Sequence, residues 1–139
     1  MREFELSEGD AAAEAAVLRA LLDFNERFAG AAGSRSLQLL LRDASGAVEG
    51  GLTGRTRYRW LFVENFFIPE HRRGTGLGTR LLAAAEAEAA ARGCIGAYLD
   101  TNSFQAPGFY EKQGYTRFGA LDDYPQPGMA KLYYRKCFA

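Results

Sequence analysis

The order of sequence patterns predicts a mixed α/β sheet, with about six or seven strands and about four helices. Three observations carry this. Strand-like segments in the first half are separated by turn residues, which suggests an antiparallel meander. A nearly all-apolar run, Leu61 to Ile68, precedes the clearest helical pattern and then another short strand, which suggests a parallel crossover. A short helix and two more strands complete the chain. At 139 residues the chain is close to the roughly 150 of one domain, so residues 1–139 are read as a single domain.

Taken in order, Phe4 to Leu6 reads as a short first strand. Asp10 can cap a helix that buries Val17, Leu18, Leu21 and Leu22. Phe24 to Gly33 reads as a second short helix or a loop, ended by Gly30 and Gly33. Leu37, Leu39 and Leu41 then recur at strand spacing, and Asp43-Ala44-Ser45-Gly46 is turn chemistry. Val48 to Trp60 reads as a second strand, interrupted by Gly50, Gly51 and Gly54. Leu61 to Ile68 is a central third strand that Pro69 ends. Gly78, Leu81, Leu82, Ala85 and Ala89 recur at helical spacing, and Gly93 is a natural stop. Ile95 to Leu99 is a strand, Phe104 to Gln113 a short helix, and Tyr115–Phe118 and Lys131–Phe138 the last strands.

Composition narrows the function classes. An apolar fraction of 47% excludes wholesale disorder. Seventeen basic and 17 acidic residues cancel, which argues against a dedicated nucleic-acid partner. Arg55, Arg57 and Arg59 alternate on one strand and read as a solvated face. Cys94 and Cys137 are too few and too distant for a disulfide framework, and the lone His71 leaves no metal cluster or histidine-based nucleophile. With no apolar leader at the N-terminus and no run of ~20 apolar residues, the expectation is a cytoplasmic protein without a membrane partner.

The chemistry begins at Arg72-Arg73-Gly74-Thr75-Gly76-Leu77-Gly78-Thr79, between a buried strand and a strong helix. Glycines let a backbone approach a ligand closely, and a helix start adds unpaired N–H groups and a positive dipole end. Together with two arginines this makes a site for a phosphate or pyrophosphate. A Walker A loop is excluded because Thr79 and Arg80 follow Gly78. A dinucleotide fingerprint fits less well, since Thr79 holds its third glycine position and an antiparallel pattern precedes the loop.

Ile68-Pro69-Glu70 followed by Arg73-Gly74-Thr75-Gly76-Leu77-Gly78 and Leu81-Leu82 resembles the acyl-CoA signature of the GNAT superfamily of N-acetyltransferases. Phe109-Tyr110-Glu111-Lys112-Gln113-Gly114-Tyr115 is similar to that family's second, tyrosine-bearing motif. The resemblance implies a mostly antiparallel sheet with one splayed parallel pair, Leu61–Ile68 and Ile95–Leu99. It implies acetyl-CoA as cosubstrate and no metal. Pantetheine would lie along Phe67 and Ile68, and pyrophosphate on Arg72, Arg73, Gly74, Thr75, Gly76, Leu77, Gly78 and Thr79. Ser103 stands where many members carry an asparagine near the cofactor. Tyr110 matches the usual general acid for direct acetyl transfer to a primary amine of a small molecule or peptide.

Glu64 is the candidate base, directly or through water, because an acidic residue inside an apolar strand needs a reason; a bulge there would change which side chains face the cleft, so Asn65 is the alternative. Asp100 is a strand-end residue with a substrate role if it faces the cleft. Dimers are common in the resembled family, which leaves a homodimer open. A non-catalytic acyl-CoA-binding module on the same fold is the rival reading; it would keep the glycine loop without needing Tyr110.

Overall fold

The computed structural model describes residues 3–139. They fall into two compact units, divided between Ala32 and Gly33. The first unit holds one helix, α1 (Ala11–Ala29). The Asp10 carboxylate accepts from Ala13 N at 2.9 Å and caps it, and Gly30, at φ 75°, ends it. The expected break near Phe24 does not occur. No glycine or proline falls between Ala11 and Ala29, and Phe24 packs on Phe28 one turn later. Phe4 to Leu6 forms no strand, since no ladder pairs with it. Val17, Leu18 and Leu21, expected to be buried, are exposed; this unit has no second element to cover them.

The second unit is a six-stranded sheet. Its strands are β1 (Arg35–Arg42), β2 (Val48–Arg57), β3 (Trp60–Phe67), β4 (Gly96–Asn102), β5 (Thr116–Asp122) and β6 (Ala130–Cys137), in the order β1-β2-β3-β4-β6-β5. All neighbours are antiparallel except β3 and β4. Two helices complete the unit, α2 (Leu77–Ala91) and α3 (Pro107–Lys112), with a single 3-10 turn at Glu70–Arg72.

Several strand ends differ from expectation for local reasons. Trp60 opens β3 rather than closing β2, because Tyr58 and Arg59 form a two-residue hairpin turn at φ 50° and 68°. Such turns usually announce themselves with Asn-Gly, so Tyr-Arg hid this one. The turn also removes Arg59 from the expected arginine stripe. β4 runs past Leu99 to Asn102 because β6 pairs with it throughout. α3 starts only at Pro107, since a residue before proline is driven out of the helical region.

The core lies between the sheet and α2. Leu82, Ala85 and Ala89 of α2 are buried against Leu52, Leu61, Ala97 and Leu99. The alanines let the helix approach closely, and Arg92 locks its C-terminal end by donating to Ser36 O at 3.0 Å and Thr56 Oγ1 at 3.2 Å. Among the described residues no helix is long and apolar enough to cross a membrane.

Gly54 is required by close packing: a Cβ there would collide with the Phe62 carbonyl oxygen across the β2–β3 ladder. Gly54→Ala should therefore lower stability by about 2–4 kcal/mol in urea unfolding. Gly108→Ala, in open space on α3, should be neutral or stabilising by up to about 1 kcal/mol in the same assay.

Candidate active site

A cleft of about 990 Å3 opens where β3 and β4 part. The two strands pair in register from Trp60 with Gly96 to Val63 with Leu99, and no further. Beyond that point β3 still pairs with β2 as far as Phe67 opposite Gly51. Its other edge, from Glu64 onward, faces the gap. The parting coincides with a bulge: Thr53 pairs with Asn65 and Gly54 with Val63, which leaves Glu64 as the extra residue.

One wall of the cleft is the open edge of β3, through Asn65, Phe66, Phe67 and Ile68. The far end is the loop into α2. Gly74 and Gly76 have φ of 78° and 77°, and a Cβ at either would meet nothing within 4 Å. They are glycine for their backbone conformation and not for lack of room. The first helical hydrogen bond is Arg80 N to Gly76 O, so the amides of Leu77, Gly78 and Thr79 precede it. Arg73 is anchored by Nε donating to Ile68 O at 2.8 Å, with its guanidinium over the Phe67 ring. Arg72 lies 3.2 Å from Glu49.

Most of the expected cofactor residues line this cleft: Phe67, Ile68, Arg72, Arg73, Gly74, Gly76, Leu77, Gly78 and Thr79. Thr75 and Ser103 do not. Thr75 Oγ1 donates to Arg72 O and braces the loop. Ser103 Oγ accepts from Ala130 N at 3.0 Å and its amide donates to Ala130 O, so it fastens the start of β6. Asn102, one residue earlier, faces the cleft in its place. Asn102, Phe104 and Gln105 also line the cleft, although no site role was expected of them. The period-two alternation of Asp100 and Asn102 with buried Leu99 and Thr101 was the available signal.

Tyr110 also lines the cleft, and the residue is 9% exposed. It packs edge-on against Phe66, Phe109 and Tyr115, with centroids 5.2–6.3 Å away. Its hydroxyl has no protein partner among the described residues. Burial, helped by the charge of Asp100, pushes its pKa up to about 12, so it holds its proton throughout the neutral range. α3 is clipped to β6 by Tyr134 Oη donating to Glu111 at 2.7 Å. Tyr115 Oη and Lys136 Nζ both donate to Glu86 at 2.8 Å, which joins α2 to the same end of the sheet.

The two carboxylates of the cleft differ. Glu64 accepts from Arg55 Nε at 2.9 Å, and Arg55 also donates to Ser34. Asp100 forms an ion pair with Lys131 at 3.6 Å and lies close enough to Tyr110 for its charge to act there. Neither cysteine lines the cleft, and burial pushes the Cys94 thiol up, away from reactivity.

An open strand edge leading to a glycine-rich helix start, with a buried tyrosine beside it, is the arrangement the sequence resemblance implied. The chain belongs to the GNAT acetyltransferase family: the model of the acetyltransferase (GNAT) domain matches residues 19–117. It is 43% identical to an acetyltransferase of Agrobacterium fabrum over 85% of this chain and 87% of that one. It is 46% identical to blasticidin-S acetyltransferase of Streptomyces morookaense over 60% of this chain and 62% of that one. A crystal structure from Agrobacterium tumefaciens superposes with a TM-score of 0.91 and 38% identity, covering 99% of this chain and 100% of the other.

The tyrosines give a stability prediction at high pH. Tyr110 and Tyr115 are both raised above the ordinary phenol value, chiefly by burial. Below about pH 10 folded and unfolded chains both keep these protons, and their contribution is constant. Above it the unfolded chain releases them first, so stability falls as pH rises from about 10 toward 12, by up to about 1.4 kcal/mol per tyrosine per pH unit. Urea midpoints followed from about pH 9 to about pH 11 should fall, and Tyr110→Phe should make the fall shallower.

Proposed function

We propose that the protein is an N-acetyltransferase that moves an acetyl group from acetyl-CoA directly to a primary amine of a small molecule or peptide. The observation that carries this is the conjunction of an anion-binding helix start and a mostly buried tyrosine whose hydroxyl has no protein partner among the described residues, on one cleft. Residues 1–139 act as one domain in this reading, in a cytoplasmic setting. A relative named for acetylating blasticidin S supports a small-molecule acceptor.

The residues present fit the cosubstrate. The free edge of β3 near Phe67 and Ile68 offers backbone groups to the amides of pantetheine, as a neighbouring strand would. The amides of Gly74 to Thr79 and the charges of Arg72 and Arg73 suit its pyrophosphate. Bound there, acetyl-CoA would supply the activated acetyl group. Tyr110 would hold a proton at Oη and deliver it to the leaving sulfur. Glu64, or a water held by Glu64 or Asn65, would take the proton released by the amine. The Arg55 contact fixes the orientation of that carboxylate.

Two variants test the reading. Gly76→Asp places a negative charge at the helix start, where nothing crowds a Cβ and Asp is among the residues that adopt the left-handed backbone at modest cost. It should fold and lose acetyl-CoA binding in calorimetry; undiminished affinity would rule out the anion site. Tyr110→Phe should bind acetyl-CoA normally and lose about 10²-fold or more in kcat. Full turnover by that variant would remove Tyr110 as the acid.

A further inference from the structure

Charge is divided along the cleft. Arg72 and Arg73 lie at the α2 end, and Glu64 and Asp100 lie where the strands part. Four strand steps from Glu64 to Ile68 separate the ends by about 13 Å. The two acidic groups are not equivalent. Glu64 is compensated by Arg55 with full hydrogen-bond geometry at 2.9 Å. Asp100 is the first residue of β4 beyond the last β3–β4 pair, and its side chain is about one-third exposed. Among the described residues its one ion-pair partner is Lys131 on β6, which stands 3.6 Å from Oδ1, too far for a hydrogen bond. Lys131 is itself drawn toward the Tyr124 and Tyr133 rings, 5.1 and 5.8 Å away. Asp100 is therefore held by a looser ion pair than Glu64 and keeps hydrogen-bond acceptor capacity toward the cleft.

Tyr110 supplies an independent sign that a ligand belongs here. It is nine-tenths buried, its hydroxyl lacks a protein partner among the described residues, and it lines the same cleft. It is also close enough to Asp100 to feel its charge.

We infer that Asp100 binds a cationic group of the acceptor other than the nitrogen that is acetylated, so that the preferred acceptors are diamines or amines bearing a second cation. The distinction follows from the chemistry. The attacking nitrogen must be neutral, and a carboxylate paired to it would hold it as the unreactive ammonium. A second cation gains from the same carboxylate without that penalty. Asp100 is thus a specificity-determining residue, and its contribution belongs in KM. This rests on the transferase reading above.

The test uses full-length protein, acetyl-CoA and matched acceptors: diaminopropane, diaminobutane and diaminopentane against propylamine, butylamine and pentylamine. Thiol release gives kcat and KM, and calorimetry gives acetyl-CoA affinity on the same samples. At least one diamine should exceed its monoamine by about tenfold or more in kcat/KM. Asp100→Asn should collapse that preference through KM while acetyl-CoA affinity is retained, and Asp100→Glu should restore part of it. If Asp100→Asn does not fold, Asp100→Ser is read in the same way. Acetyl-CoA binding without a diamine preference, or a preference that survives removal of the carboxylate, overturns the inference alone. Failure of the wild-type protein to bind acetyl-CoA overturns the transferase reading, and the inference with it.

Discussion

Two parallel strands share backbone hydrogen bonds from Trp60 and Gly96 to Val63 and Leu99, and then separate. The rest of the site depends on that separation. A central strand normally satisfies peptide groups on both edges, and leaving one edge open inside a protein is costly unless something else pairs with it. Here the bulge at Glu64 turns β3 while β2 continues to hold its other edge. The gap is thereby held open by the sheet itself, and an extended, amide-bearing ligand can occupy the place of the missing strand.

The helices serve this gap in different ways. α2 brings its start to one end, with Gly76 in the left-handed region so that the chain can turn sharply into the helix. Its buried Leu82, Ala85 and Ala89 fix that position against the sheet. α3 is only six residues long and could not stand alone. It is held by Glu111 on Tyr134 and by the aromatic packing around Tyr110, with Gln113 reaching Thr79 at 3.3 Å. The same burial that locates the Tyr110 ring also raises the pKa of its hydroxyl, so position and protonation state have one cause.

Much of this was legible from local chemistry. The helical spacing of Leu82, Ala85 and Ala89, the stop at Gly93 and the cap at Asp10 all rest on contacts within a few residues, and all appear in the structure. The parts that failed depend on partners distant in sequence. Phe4 to Leu6 has strand-like alternation but no strand beside it. Ser103 has the right position for a cofactor contact, yet its hydroxyl is used by Ala130, 27 residues away. The Tyr58–Arg59 turn uses residue types that seldom adopt positive φ, so only the ladder of β2 with β3 reveals it.

The sequence by itself determined the family, the glycine-rich helix start and the tyrosine beside it. Those signals are written in residue types that a backbone conformation or a proton donor requires. Tertiary structure alone decided which carboxylate is held by a hydrogen bond and which only by a looser ion pair. Glu64 and Asp100 are both acidic residues in apolar strands. Only the folded sheet sets Arg55 against Glu64 within hydrogen-bond reach and leaves Lys131 short of Asp100. Charge compensation acts between side chains that meet across strands, and strand pairing is settled by the whole fold.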